Sequence, residues 1–291
     1  IQQYLREVGS DLYTESGRMD FADLCRSMNL VSSLPEYVKP KNVGLMFFNL
    51  EPEKFFPYAQ IDVVQFPDDL GGDQIIEKTF TGPLHQQLRE ALQYIRNSII
   101  TERIHKLPDK AEANRYFNYP YAAIEESLSN AVYHKGYDIR EPIEVRVLPD
   151  RIEILSHPGA DRSISMEGLK NYRAVSRRYR NRRIGEFLKE LHLTEGRNTG
   201  FQKIIRVLKA NGSPMPVFET DDDRTYFLTT IPIHPDFLVP YEDRNEYRNG
   251  YRNDTEIVEL TEHERLVLDA IHQDATTTIR DMVARLGISK S

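Results

Sequence analysis

The sequence predicts an α+β protein in which helices cover an antiparallel or mixed β-sheet. Residues 118–233 carry the main pattern, because a helix, a β-hairpin, two more helices and a strand follow in that order. Upstream, three extended segments and a long amphipathic helix indicate a smaller α+β unit. We therefore expect an N-terminal α+β domain over 1–112, a two-layer domain over 113–236, a polar linker over 237–257 and a partial helical domain over 258–291.

The N-terminal unit is expected to combine short helices, strands and one long helix. A helical pattern covers "MDFADLCRSMNL" before the proline-rich "LPEYVKPKN". Three apolar stretches separated by Pro- and Gly-containing turns predict strands, namely "VGLMFFNL" at 43–50, "AQIDVVQF" at 59–66 and "QIIEKTF" at 74–80. The long amphipathic helix should run from about Pro83 to about His105, with Leu84, Leu88, Leu92 and Ile95 on its apolar side.

The second unit continues with a hairpin, two helices and a strand. In "PIEVRVLPDRIEILSHPG" apolar residues alternate on both arms of the hairpin, around a Pro149-Asp150 turn. The alternating residues are Ile143, Val145 and Val147 on the first arm and Ile152 and Ile154 on the second. The spacing of apolar residues predicts helices over 182–192 and 200–211, and "TYFLTTIPI" predicts a strand over 225–233.

The helix that opens the second unit contains "EESLSNAVYHKGY" at 125–137 and has an unusual polar side. Its apolar stripe consists of Ile124, Leu128, Ala131 and Val132. The opposite side carries Glu126, Asn130, Tyr133, His134 and Tyr137. Solvated helix faces are usually built from Lys, Glu, Arg and Gln, whereas Asn, His and Tyr are indifferent helix formers. This face is either an ordinary solvated surface or a functional one.

Composition and charge exclude several classes of protein. The 291 residues carry a net charge of −7, so contact with DNA would need a local basic patch. The single cysteine, Cys25, cannot form an internal disulfide, and the sequence has no Cys/His spacing of a structural zinc site. With no apolar run near 18 residues and no signal peptide, we expect a cytoplasmic protein without membrane contact. Because the chain begins at Ile1 and stops at Ser291, we expect it to be part of a longer protein.

The C-terminal part of the sequence reads as a linker followed by two short helices. "PYEDRNEYRNGYRNDT" repeats Arg-Asn and lacks apolar residues that could pack, which is typical of a linker; a charged helix is the alternative. The segment "LTEHERLVLDAIHQDATTTIRDMVARLGIS" then predicts two short helices with the length and spacing of a helix-turn-helix. Its recognition helix would begin near Ser289.

Seven motifs occur in an order that resembles a known family. They are "KNVGLMFF", "FTGPLHQQLREALQYI", "EESLSNAVYHKGY", "IEILSHPG", "RYRNRRIGEFLKEL", "TEGRNTGFQKII" and "GSPMPVFE". Residues 40–291 resemble predicted bacterial transcriptional regulators in which a Bergerat- or GHKL-type ATPase-like domain (HATPase_c_4) follows a Schlafen-type AlbA domain and precedes a helix-turn-helix. Such proteins are often labelled as related to an ATP-dependent DNA helicase. The sequence has no GxxxxGK[ST] motif, so we exclude a helicase motor.

The resemblance implies a fold for each part of the chain. Residues 113–236 would form a two-layer Bergerat-like ATPase domain. Residues 1–112 would hold the tail of an AlbA-like domain or the linker from it, and 258–291 the start of a winged helix. It also implies ATP and Mg²⁺ as ligands, with Asn130 as the metal ligand and Glu126, one helical turn earlier, as the base that orients water. His134 and Tyr137 would border the phosphates.

Three further segments match the nucleotide site of that family. His157 and Gly159 in "SHPGA" stand where the family contacts adenine, although Pro-Gly is also ordinary turn chemistry. Gly196 and Gly200 stand at the phosphate loop, unless Gly196 only caps a helix. Arg180 and Asn181 belong to "RAVSRRYRNRR", whose arginines would clamp phosphate, contact DNA or form a solvated surface.

Three functions are consistent with these patterns. The first is a homo-oligomeric, dimeric transcriptional regulator that binds a nucleotide and contacts DNA through its helix-turn-helix. The second is a slow Mg²⁺-dependent ATPase that uses Glu126. The third is a degenerate domain that binds no nucleotide and serves as a dimerisation scaffold.

Overall fold

The computed structural model describes residues 1–32, 37–69, 72–106, 113–173, 179–194 and 200–238. Residues Ile1–Leu238 form one compact unit. The predicted linker beyond residue 238 and the predicted helix-turn-helix at 258–291 lie outside the described residues. Within the described ranges, no helix combines the length and the apolar character needed to cross a membrane.

The core of this unit is a six-stranded mixed sheet. The described strands are β1 (Ile61–Gln65), β2 (Ile76–Phe80), β3 (Glu102–Lys106), β4 (Ala113–Phe117), β5 (Ile143–Val147), β6 (Arg151–Ser156), β7 (Val217–Glu219) and β8 (Phe227–Pro232). The large sheet has the order β2-β1-β5-β6-β8-β7, in which only β1 and β5 pair in parallel, while β3 and β4 form a separate hairpin. The predicted α+β class is confirmed.

Nine helices are described, and three of them contact strands of the large sheet. The nine helices are α1 (Gln2–Glu7), α2 (Leu12–Ser16), α3 (Phe21–Ser27), α4 (Asn42–Phe48), α5 (Leu84–Ser98), α6 (Tyr121–His134), α7 (Met166–Lys170), α8 (Arg182–Glu190) and α9 (Gly200–Asn211), with 3₁₀ turns at Pro52–Lys54 and Pro235–Phe237. Helix α5 lies against β1 and β2, α6 lies against β6 and β8 and beside α9, and α7 lies against β7. Buried Val63, Val145 and Ile154 pair across the sheet and fill the core under these helices.

Two predicted elements of the N-terminal half were wrong. The apolar stretch at 43–50, expected as a strand, is helix α4, because burial of Val43, Met46 and Phe47 follows helical spacing. The long helix expected to reach His105 ends at Ser98. Beyond it the backbone N–H of Thr101 donates to Asn118 Oδ1, and the chain continues as strand β3, paired with β4.

The predicted boundary at residue 112 does not separate two packed bodies. Strand β1 from the first half pairs in parallel with β5 from the second, with Ile61 opposite Ile143. Helices α5 and α6, from either side of that boundary, also contact each other. Residues 1–238 therefore share one sheet and one core.

Helix α8 approaches α6 closely at Gly185. A Cβ atom at position 185 would lie 2.2 Å from Cζ and 2.5 Å from Oη of Tyr133, a buried side chain on α6. Only glycine allows this approach, so the Tyr133 ring is held in place by the backbone of α8.

Replacing Gly185 by alanine should destabilise the fold. Helix propensity alone would favour alanine by about 1 kcal/mol, but the overlap with the Tyr133 ring should cost about 1–3 kcal/mol and prevail. Urea unfolding measures the effect. The matched control is Gly17→Ala, where an added Cβ meets no atom within 4 Å, and where we expect a change below about 0.5 kcal/mol. A Gly185→Ala protein as stable as the wild type would contradict the packing described above.

Candidate functional site

A cavity of about 680 Å³ lies between helices α6 and α9 and the strands β6 and β8. Helix α6 contributes the lining residues Glu126, Ser127, Asn130, Ala131, Tyr133 and His134. The sheet contributes Ile154, Ser156, Phe218, Phe227 and Thr229. The volume is within the range of small-molecule and cofactor sites. Four residues of the polar side of α6, namely Glu126, Asn130, Tyr133 and His134, therefore face a cavity of the size that a cofactor needs. This part of the helix is not an ordinary solvated surface.

Glu126 is a buried carboxylate with two partners at the edge of this cavity. Its Oε1 accepts a hydrogen bond from Asn130 Nδ2 at 3.3 Å. Its Oε2 lies 3.3 Å from Nζ of Lys203, which reaches it from α9. The Glu126 side chain is 7% exposed, and a buried charge is stable only when it is paired. Sequence reasoning missed Lys203, although this residue belongs to the motif "TEGRNTGFQKII".

Gly200 lets the first turn of α9 reach the Glu126–Asn130 pair. A Cβ atom at position 200 would lie 2.7 Å from Glu126 Oε1 and 2.8 Å from Asn130 Nδ2. Any larger residue would displace one of these side chains. The structure thus brings together three of the predicted site residues, Glu126, Asn130 and Gly200. Gly196 lies outside the described residues.

Asn130 keeps an acceptor available beside the cavity. Its Nδ2 is committed to Glu126, whereas its Oδ1 accepts no hydrogen bond from the residues that the structure describes. An amide oxygen is a suitable ligand for a hard cation or for a donor group of a bound molecule.

The residues predicted to clamp phosphate at the start of α8 bind the end of α6. Asn181 Nδ2 donates to the carbonyl oxygens of Tyr133 at 3.0 Å and of Lys135 at 2.7 Å. Arg180 donates to the His134 carbonyl oxygen. The last carbonyls of a helix have no partner within it, so these side chains cap α6. Arg180 also lines the cavity, but Asn181 is not among the lining residues.

The far end of the α6 wall is formed by aromatic rings. Tyr133 stacks on Tyr179 with ring centroids 5.0 Å apart, and His134 lies next to both rings. Burial, and secondarily the Arg180 charge, lowers the pKa of His134 to about 4. The imidazole that lines the cavity is therefore neutral at physiological pH.

Tyr137 does not border the cavity. Its side chain is buried in the hydrophobic core, and its hydroxyl donates to the Val132 carbonyl oxygen at 3.0 Å. Helix α6 ends at His134 and the backbone of Lys135 is no longer helical, so the helical spacing that placed Tyr137 beside His134 does not apply.

The loop after β6 places Gly159 at the cavity but leaves His157 outside its lining. His157 Nδ1 lies 2.8 Å from the Thr225 carbonyl oxygen. The Gly159 N–H donates to the Arg224 carbonyl oxygen at 2.7 Å, and a Cβ there would lie 2.3 Å from Thr220 Oγ1. Both residues thus join this loop to the β7–β8 connection. At the end of β6 and in this loop, the residues that line the cavity are Ser156, Pro158, Gly159, Ala160 and Asp161.

Comparisons with known proteins match part of the chain. Residues 141–230, about a third of the sequence, match the family model HATPase_c_4, described as "Putative ATP-dependent DNA helicase recG C-terminal". This region is similar to an ATPase-like domain family. The matched range includes β6 and most of β8, which form the floor of the cavity, and α9, which forms one of its walls. Helix α6 precedes the matched range. Among curated proteins no match is found.

A solved structure shares the fold. The crystal structure of the DIP2311 protein from Corynebacterium diphtheriae has 18% sequence identity to this chain and a TM-score of 0.54. The similarity covers 97% of this chain and 53% of that one, so the chain spans about half the length of DIP2311. At this identity the likeness concerns the fold alone.

Acidification should destabilise the protein through two histidines, the buried His85 and the half-buried His134. Burial lowers the pKa of His134 and of His85 to about 4, whereas an unfolded histidine titrates near 6.5. Between these values the unfolded chain binds a proton that the folded chain does not. The free energy of unfolding should therefore fall as the pH drops from about 6.5 to about 4, by at most about 1.4 kcal/mol per pH unit for each histidine.

Urea unfolding at pH values across this range measures that slope. His134→Gln and His85→Gln should each reduce this slope by up to about 1.4 kcal/mol per pH unit, which corresponds to one proton. The double variant should reduce the slope by up to twice that amount. A slope that is unchanged in both single variants would contradict the effect of burial on these two imidazoles.

Proposed function

We propose that the cavity binds a nucleotide with Mg²⁺. The observation that carries this proposal is the Glu126–Asn130 pair, which faces a cavity of about 680 Å³ directly beside the first turn of α9. The similarity of residues 141–230 to an ATPase-like domain family supports the same ligand class. The apolar floor would carry the base, and the edge at Asn130 and Gly200 would carry the phosphates.

The donor set fits a magnesium ion carried by the nucleotide. Mg²⁺ keeps several waters and is usually held by one or two protein oxygens together with phosphate oxygens. Asn130 Oδ1 would supply the protein oxygen. Among the described residues no group of three His, Cys, Asp or Glu side chains could hold a metal by itself, in keeping with an ion that arrives with its ligand. When bound, the ion would neutralise phosphate charge.

Slow hydrolysis is the second candidate activity, because Glu126 lies within one helical turn of Asn130. A carboxylate at this distance reaches water associated with the metal. Lys203 sets a limit on this role, since it pairs with Glu126 Oε2 at 3.3 Å. Water activation would require one of the two carboxylate oxygens to leave its present partner.

Substitutions in the Glu126–Asn130 pair should separate binding from hydrolysis. Asn130→Ala removes the metal ligand and should weaken Mg²⁺-dependent ATP binding at least about tenfold. Glu126→Gln should keep binding within about threefold and abolish phosphate release. Calorimetric titration and a phosphate-release assay measure the two effects. Lys209→Met, an exposed lysine on the same helix α9, is the matched control and should change neither.

Each alternative gives a different result in these assays. Phosphate release that persists in Glu126→Gln would remove Glu126 from the mechanism. If the wild-type protein binds no ATP in the presence of Mg²⁺, the cavity is not a nucleotide site, and a scaffold role takes its place.

We further propose that nucleotide binding regulates a DNA-binding module, as in a homo-oligomeric transcriptional regulator. The support is the sequence at 258–291, with two apolar helical patterns ending in "ARLGISKS" after a polar linker. Binding of a ligand changes DNA affinity only if it binds the two states of the protein with different affinities.

In the full-length protein, ATP should change the affinity for duplex DNA. Coupling free energies of this type correspond to factors of about 5 to 150. Fluorescence anisotropy with labelled genomic fragments, with and without ATP and Mg²⁺, measures the change. Asn130→Ala should abolish it while leaving DNA binding without ATP intact. An ATP effect of equal size in that variant, or no DNA binding at all, would end the regulator proposal.

A further inference from the structure

The floor of the cavity carries two hydroxyl groups between apolar side chains. Ser156 on β6 stands opposite Phe227 on β8, and Ile154 stands opposite Thr229. Directly opposite residues share a face of the sheet, so all four side chains point to the cavity, which they line. Ser156 and Thr229 are each 4% exposed. Their side chains make no hydrogen bond to any described residue.

Hydroxyl groups at this position do not select the polarity of their partner. A serine or threonine hydroxyl rotates and can donate or accept. Adenine presents an amino donor at its 6-position, whereas guanine presents a carbonyl acceptor. A rotating hydroxyl satisfies either group. A site with a group of fixed polarity would leave one of the two bases unpaired, and such sites discriminate by factors of about 10⁴ to 10⁵.

In the loop after β6, three groups of fixed polarity have protein partners. Asp161 Oδ1 accepts hydrogen bonds from the backbone N–H of Ser163 at 2.9 Å and from its hydroxyl. The Gly159 N–H donates to the Arg224 carbonyl oxygen. His157 is absent from the cavity lining, and its Nδ1 lies beside the Thr225 carbonyl oxygen. Among the described residues of this loop, these groups are thus held by the protein.

We infer that the cavity accepts both adenine and guanine nucleotides, with Ser156 and Thr229 as the residues that contact the base. This inference rests on the proposed nucleotide binding and names its ligand class. The apolar side chains of Ile154 and Phe227 would support the ring of either purine, and the two hydroxyls would meet its edge.

Calorimetric titration of the wild-type protein with ATP and with GTP, both with Mg²⁺, is the deciding experiment. We expect dissociation constants within about threefold of each other. Ser156→Ala and Thr229→Val should each weaken both nucleotides by about 2- to 12-fold, the range of one net hydrogen bond, and leave their ratio unchanged. Thr230→Val is the matched control, because its side chain lies on the opposite face of β8, and it should alter neither affinity.

The possible failures are distinguishable. ATP binding more than about tenfold tighter than GTP would overturn the inference and leave nucleotide binding in place. A change of the ATP/GTP ratio in Asp161→Asn would overturn it as well, since that carboxylate would then contact the base. If neither nucleotide binds the wild-type protein, the proposed function itself fails. The wild-type comparison decides the question even if a floor variant does not fold.

Discussion

The pairing of the buried carboxylate of Glu126 sets the geometry of the whole site. A charge that is nearly removed from water is tolerated only with close partners, here Lys203 at 3.3 Å and the Asn130 amide at 3.3 Å. Lys203 belongs to α9, so the pair fixes α9 beside α6. Gly200 allows that approach, because any side chain there would occupy the same space. The cavity is the volume that remains between these two helices and the strands beneath them.

The opposite end of α6 is fixed by a second set of contacts, which are made between groups of the protein. Asn181 and Arg180 bind the free carbonyls of its last turn, and Gly185 brings the backbone of α8 against Tyr133. The arginine-rich segment looked suitable for phosphate because of its charge. Arg180 and Asn181 of that segment bind backbone carbonyl groups, because a helix end needs partners whether or not a ligand is present.

Sequence reasoning succeeded where a local pattern decides the structure, and failed where tertiary packing does. The β5–β6 hairpin and helices α6, α8 and α9 followed from apolar spacing and turn residues. The run at 43–50 is apolar on every side, so only its burial pattern identifies α4 as a helix. Tyr137 was misplaced because α6 ends three residues before it. Lys203 was missed because its partner is far away in sequence, and no local pattern reports a buried ion pair.

The same ion pair also bears on which activity the cavity supports. In the described structure, Glu126 Oε1 accepts from Asn130 and Oε2 is paired with Lys203. A general base must offer an oxygen to water, so turnover requires one of these contacts to open. Binding requires no such change, because Asn130 Oδ1 and the two hydroxyls of the floor are already free of described partners. Catalysis needs every group in place at once, whereas binding tolerates the loss of one. The arrangement therefore favours a site that holds its ligand over one that turns it over rapidly.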